Sequence, residues 1–168
     1  MRSYKTIFVL LIMFTNSKLF SYEEGIAQNG DLEIYYRDYG PKDAEPILLV
    51  QGIGGQLINW PEHLIDFLLK NNFRPIVYDN RDTGLSSRIP SDSFSDEKRD
   101  NTIVKNYIRY YLRLPIKSDY TLDDMAVDGI SVLDKLDIPE AHILGISMGG
   151  MIAQIIASSH PKRTKTFT

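Results

Sequence analysis

The 168-residue sequence contains no cysteine, and neither sign of charge is in large excess. The absence of cysteine excludes disulfide bonds, cysteine-ligated zinc sites and thiol nucleophiles. The sequence has 19 Lys and Arg residues and 22 Asp and Glu residues, which gives a formal net charge of −3. A chain with this balance has no electrostatic footprint for nucleic acid or anionic lipid. We therefore expect neither as a partner.

Long hydrophobic runs are also lacking. Residues 7–14 form an unbroken apolar run of eight, which is too short to span a bilayer. Arg2 and Lys5 precede this run and polar residues follow it, as in a secretory signal peptide. We predict a signal peptide over residues 1–21 and an exported mature chain, periplasmic or secreted, without a stable membrane span. The alternative is a cytoplasmic protein with a buried N-terminal strand, because residues 19–21 lack an A-x-A pattern.

The remaining sequence alternates strand-like and helix-like segments. The Asn29-Gly30 pair separates runs at 25–28 and 31–39, which predicts an antiparallel hairpin. Later apolar runs predict strands at 46–50, 74–78 and 142–146, and a further strand is expected to start around 163–168. Helical periodicity predicts helices over 61–72, 102–114, 121–136 and 148–159. This order predicts an α/β fold with a mostly parallel central sheet that begins with an antiparallel hairpin.

Residues 145–149 read Gly-Ile-Ser-Met-Gly, which is the G-x-S-x-G pattern of a nucleophile elbow. In this motif the serine occupies a sharp, strained turn between a strand and a helix. Glycines flank it because a Cβ there would collide with neighbouring backbone. The pattern falls where an apolar strand meets a helix with a face of small residues. The sequence therefore predicts Ser147 as a nucleophile, and the alternative is an inert tight turn.

A glycine-rich loop, Gly-Ile-Gly-Gly at residues 52–55, follows the first central strand. A serine nucleophile needs donors for the oxyanion, and the backbone N–H groups of Met148 and Ile53 are the predicted pair. Glycine-rich loops also cradle phosphates, so an ordinary turn or a phosphate site stays open. A dinucleotide fingerprint fits poorly because Leu57 stands where that motif needs glycine. We expect no cofactor and no metal ion.

These motifs carry a resemblance to a known family. It rests on the segments LLVQGIGGQLINWP, YDNRDTGLSS, YTLDDMAVDGISVLDKLDI and AHILGISMGGMIAQIIASSHPKR. The chain resembles the N-terminal half of an α/β-hydrolase-fold protein, close to the subgroup of aclacinomycin methylesterase-like enzymes. The resemblance implies that residues 22–168 are the N-terminal part of a C-terminally truncated domain. It also implies a serine hydrolase that cleaves small-molecule carboxylic esters through an acyl-enzyme.

Two positions depart from the pattern of this family. Gln51 stands where many relatives have histidine before the loop glycine, which alters hydrogen bonds in the loop but leaves the backbone donor. Asp82 stands where the broader family has glycine in the loop D-x-R-G-x-G-x-S, although aspartate is familiar in the subgroup. The other loop residues are expected to be structural, as a capped turn beside the sheet: Asp79, Arg81, Gly84 and Ser86.

The family places its catalytic acid and histidine after the elbow serine. The sequence has three histidines. His142 and His160 are expected at the opposite end of the sheet, about 16 Å from Ser147 along a strand and about 20 Å along a helix. His63 is expected to be a solvated residue in the first turn of a helix. The alternative is a position near Ser147, because that helix begins at the same end of the sheet as the elbow.

Two hypotheses follow. The first is a serine hydrolase whose full-length parent cleaves carboxylic esters. A serine at the elbow disfavours the branches of the family that use aspartate there, which are the dehalogenases and epoxide hydrolases. The second is a catalytically inactive remnant, or a non-catalytic hydrolase-like protein that binds a ligand or partner. The missing later acid and histidine favour the second hypothesis, and the intact elbow and loop favour the first.

Overall fold

The structure is a computed structural model that describes residues 21–89, 108–109, 111–114 and 118–168. The predicted signal peptide therefore lies, except for its last residue, outside the described residues. The first half of the helix predicted over 102–114 also lies outside them. Residues 108, 109 and 111 of that segment are helical.

One sheet organises the described residues. Its strands are β1 Glu23–Asn29, β2 Leu32–Asp38, β3 Glu45–Val50, β4 Phe73–Tyr78, β5 Ala141–Gly145 and β6 Thr164–Phe167. They are arranged in the order β1-β2-β4-β3-β5-β6. The pairs β1/β2 and β2/β4 are antiparallel, whereas β4, β3, β5 and β6 run parallel. The predicted mostly parallel sheet with an N-terminal antiparallel hairpin is confirmed.

The hairpin turn is displaced by one residue from its sequence signal. Asn29 pairs with Leu32 in the ladder, so Gly30 and Asp31 form the loop. Gly30 has a φ of 60°, which tight hairpin turns require at their first position and which glycine adopts without steric cost. Asn29 stays in the strand, where its side chain donates a hydrogen bond of 2.7 Å to Asp128.

The described helices are α1 Glu62–Lys70, α2 Leu122–Lys135 and α3 Met148–Ser159. The predicted start of α2 is confirmed as a capping box, because Thr121 Oγ1 accepts from the Asp124 amide at 3.3 Å and Asp124 accepts from the Thr121 amide at 2.7 Å. The segment predicted at 61–72 ends earlier as a helix, and Asn72 adopts a φ of 61°. In the part of the chain that the structure describes, no helix is long and apolar enough to cross a bilayer.

Helices cover both faces of the sheet. Alternate residues of β3 point to opposite sides: Leu48 and Val50 join the core beneath α2 and α3. Ile47 and Leu49 join a second core with α1 and Trp60. This two-sided burial explains why β3 reads as a continuous apolar run rather than as alternating apolar and polar residues.

A buried ion pair connects α2 to the loop after β4. Arg81 Nε and Nη2 donate to the two carboxylate oxygens of Asp128 at 2.6 and 2.8 Å. The two side chains are only 7% and 0% exposed. Arg81 is therefore structural, as predicted. Its partner could not be predicted from local patterns, because the two residues lie 47 positions apart and Asp128 is outside the predicted apolar stripe of α2.

We predict that Asp128→Ala lowers the free energy of unfolding of the full-length protein by about 3–5 kcal/mol, because the Arg81 guanidinium stays buried without its counter-charge. Asp134→Ala is the control. It removes an ion pair of 2.6 Å with Arg163 in which Asp134 is 60% exposed, and it is expected to cost less than about 1 kcal/mol. Denaturant unfolding measures both changes, and equal costs would contradict the prediction.

Candidate active site

Ser147 occupies the turn between β5 and α3 with φ 56° and ψ −121°. A positive φ is unfavourable for a residue with a side chain and costs of order 1–3 kcal/mol. This conformation at a strand-to-helix junction is the geometry of a nucleophile elbow. The Ser147 residue is exposed, so its hydroxyl is presented to solvent at the carboxyl edge of the parallel strands.

The glycines of the motif allow the backbone to pack closely. A Cβ at position 149 would lie 2.1 Å from the carbonyl oxygen of Val50. A Cβ at position 145 would lie 2.1 Å from the carbonyl oxygen of Gly149. The predicted steric reason for both glycines is confirmed, because only glycine lets α3 begin directly against β3 and β5.

The glycine-rich loop after β3 lies beside the elbow. A Cβ at Gly52 would be 3.1 Å from the Cβ of Ser147 and 3.7 Å from its Oγ. Ile53, the next residue, is 83% exposed. Within the described residues, the amides of Ile53 and Met148 donate no main-chain hydrogen bond. The structure thus brings the glycine-rich loop into contact with Ser147.

Asn80 holds the base of this loop. Its Nδ2 donates to the main-chain carbonyl of Gln51 at 3.1 Å, and the contact is buried. The Gln51 side chain folds back toward Gly55, where a Cβ would lie 2.7 Å from its Oε1. Sequence reasoning missed Asn80, whose only signal was its place two residues beyond the end of the β4 run.

The loop after β4 is organised by Asp79. Its carboxylate oxygens accept from the amides of Leu57 and Leu85 at 2.7 and 2.9 Å. Ser86 Oγ donates to the Asp79 carbonyl at 2.6 Å. Gly84 has a φ of 54°, and a Cβ there would lie 2.0 Å from an Asp79 carboxylate oxygen. The structural roles predicted for these loop residues are confirmed.

None of the three histidines hydrogen bonds to Ser147 in the described residues. His142 lies at the opposite end of β5, where its ring contacts Thr166 Oγ1 at 2.7 Å and Glu45 Oε1 at 3.3 Å. His160 ends α3. His63 is exposed in the first turn of α1. The expected positions of His142 and His160, at the ends of β5 and α3 far from Ser147, and of His63, as an exposed residue in the first turn of α1, are confirmed.

A cavity of about 600 Å³ lies between the glycine-rich loop, the loop after β4 and the start of α2. This volume falls within the range of small-molecule pockets. Both residues of the predicted oxyanion pair contribute to its wall. The lining residues are Ile53, Gly54, Arg81, Asp82, Thr83, Ser118, Tyr120, Thr121, Leu122, Met125 and Met148.

Tyr120 is the titratable aromatic residue of this wall. Burial, and then a hydrogen bond to the Asp82 carboxylate, raise the pKa of its hydroxyl to about 12. The Arg81 guanidinium lies 5.3 Å from the centre of the Tyr120 ring. Tyr120 is therefore a neutral hydrogen-bond donor at physiological pH.

The sequence profile of the α/β hydrolase fold family matches residues 45–168. The chain belongs to this family. It is also similar to the rhodomycin D methylesterase of Streptomyces peucetius, with 30% identity over 156 residues, and to that of a second Streptomyces strain, with 31% identity over 156 residues. Each alignment covers 93% of this chain and 40% of the relative.

Solved α/β-hydrolases share the architecture. A hydrolase from Pseudomonas aeruginosa has 26% identity and a TM-score of 0.61, and the match covers 86% of this chain and 44% of that one. The chain spans about 40% of the length of the curated methylesterases it matches. These findings confirm the predicted fold family and the predicted resemblance to the methylesterase subgroup.

Packing at this α/β-hydrolase elbow predicts opposite effects for two adjacent glycines. Gly149→Ala places a methyl group against the Val50 carbonyl and is expected to destabilise the full-length protein by about 3 kcal/mol or more. Gly150→Ala is the matched control, because the nearest atom to its Cβ is 3.5 Å away. There, alanine is expected to stabilise α3 by up to about 1 kcal/mol.

Thermal unfolding followed by circular dichroism measures both variants. Equal melting temperatures for the two variants would contradict the proposed close approach of α3 to β3.

Proposed function

We propose that this protein is a serine hydrolase that cleaves carboxylic esters, with Ser147 as the nucleophile. The observation that carries the proposal is the strained, exposed turn of Ser147 at the start of α3, beside the loop of residues 52–55. Membership of the α/β-hydrolase fold family supports a hydrolytic reaction. The similarity to two methylesterases supports an ester as the substrate.

In the proposed reaction, Ser147 Oγ attacks the acyl carbon of the ester while a base takes its proton. The carbonyl oxygen becomes an oxyanion, which accepts hydrogen bonds from the Met148 and Ile53 amides. The tetrahedral intermediate collapses, the alcohol leaves with a proton, and an acyl-enzyme remains. Water then attacks the acyl carbon, and release of the acid restores the serine.

The N-terminus of α3 supports the same step electrostatically. The aligned peptide dipoles of a helix give its first turn a partial positive charge. Ser147 immediately precedes the first residue of α3, so negative charge that develops on the substrate oxygen is favoured there. A fixed donor pair of this kind is worth most when it is aimed at the developing charge before the reaction begins.

A non-catalytic binding protein is the second candidate. The observation that favours it is the position of His142, His160 and His63, none of which hydrogen bonds to Ser147 in the described residues. Such a protein would keep the elbow and the cavity but would not activate the serine. The two candidates differ in the reactivity of one hydroxyl group.

A fluorophosphonate probe tests that reactivity, because it forms a covalent bond with an activated serine. We expect the full-length protein to be labelled on the peptide that contains Ser147. Ser147→Ala is expected to abolish labelling and to reduce ester hydrolysis by at least about 1,000-fold, since loss of a nucleophilic serine removes the covalent route.

Ser158→Ala is the matched control, because Ser158 is an exposed serine near the C-terminal end of α3, the helix that Ser147 precedes. This variant is expected to label like the wild type. A folded wild-type protein that is not labelled would support the binding protein and overturn the hydrolase, as would labelling of a different residue.

A further inference from the structure

Asp82 is a charged residue in the cavity wall with no described role in holding the fold at the elbow. It lies in the loop after β4 with a φ of 62°. Its carboxylate accepts from the Ile89 amide at 2.6 Å and from the hydroxyl of Tyr120. These two neutral donors orient the carboxylate but leave its negative charge in place.

The neighbouring cation does not neutralise Asp82. Arg81 is the basic residue among the described lining residues, and its guanidinium is bound to the buried carboxylate of Asp128 and to the Asp124 carbonyl. Within the described residues, the ion pairs of 4 Å or less do not include Asp82. The charge of Arg81 is thus compensated inside the protein, whereas Asp82 lines the cavity and has neutral donors as its described partners.

Four apolar side chains contribute to the same wall, and its other polar residues, Thr83, Ser118, Tyr120 and Thr121, carry no cationic group. Leu122 and Met125 come from the first turns of α2, Ile53 comes from the glycine-rich loop, and Met148 is the first residue of α3. A carboxylate on a substrate would lose its hydration in this setting and find no cation in return. It would also be repelled by Asp82.

We propose that Asp82 makes this cavity selective for esters with an uncharged, apolar acyl group and against esters with an anionic one. The inference rests on the proposed function, because it assigns the acyl group to the cavity beside Met148 and Ile53. It extends that function by naming the substrate class and the residue that discriminates. It also gives a role to the residue at which this loop departs from the glycine of the broader family.

Two esters of one leaving group test the proposal: p-nitrophenyl pentanoate and p-nitrophenyl monoglutarate. The acyl chains have the same number of carbons, and one ends in a methyl group where the other ends in a carboxylate. After subtraction of spontaneous hydrolysis, we expect the full-length protein to prefer pentanoate by at least about tenfold in kcat/KM, as expected for like charges several ångströms apart at an effective dielectric constant of about 20.

Asp82→Asn removes the charge and keeps an acceptor for the Ile89 amide, and asparagine tolerates a positive φ. We expect this variant to reduce the ratio of kcat/KM for pentanoate to kcat/KM for monoglutarate about tenfold. Asp123→Asn is the matched control, because Asp123 is an exposed acid in the first turn of α2 that does not line the cavity. For Asp123→Asn, we expect the ratio of kcat/KM for the two esters to equal that of the wild-type protein.

The outcomes separate this inference from the proposed function. A protein that is labelled on Ser147 but hydrolyses both esters equally overturns the selectivity and leaves the hydrolase in place. Equal changes in Asp82→Asn and Asp123→Asn also overturn it, since the effect would then be one of net charge. A wild-type protein that is neither labelled nor hydrolyses either ester overturns both proposals.

Discussion

The close approach of α3 to the backbone of β3 is the constraint on which the site depends. Gly149 leaves no room for a Cβ against the Val50 carbonyl, so the helix begins directly above the sheet. The chain must therefore turn sharply at Ser147, which adopts a φ of 56°. The strain in this residue is balanced by the parallel strands around it, and the exposed hydroxyl is the consequence.

Polar side chains at the carboxyl ends of the strands hold the surrounding loops. Asp79 binds the amide of Leu57, just beyond the glycine-rich loop, and that of Leu85 in the loop after β4. Asn80 binds the carbonyl that precedes the glycine-rich loop. Arg81 then ties the same segment to Asp128 in α2. Three consecutive residues thus fix the positions of both loops and of the helix that bounds the cavity, while the fourth, Asp82, lines the cavity.

The sequence was sufficient to predict features that depend on neighbours in the chain. The apolar runs of β3 and β5, the capping box of Thr121 and the steric role of the elbow glycines follow from local patterns. The pairs Arg81–Asp128 and Asn80–Gln51 depend on contacts between distant segments. The periodicity of the sequence does not predict such contacts. The hairpin turn was displaced for a similar reason, because Asn29 bonds to a residue 99 positions away.

The central claim is that Ser147 and the amides of Met148 and Ile53 form one reactive site. A crystal structure of the full-length protein with a phosphonate bound covalently to Ser147 tests it most directly. We expect the phosphoryl oxygen to lie about 2.7–3.1 Å from both amide nitrogens. An adduct on another residue, or a phosphoryl oxygen that contacts neither amide, would contradict it.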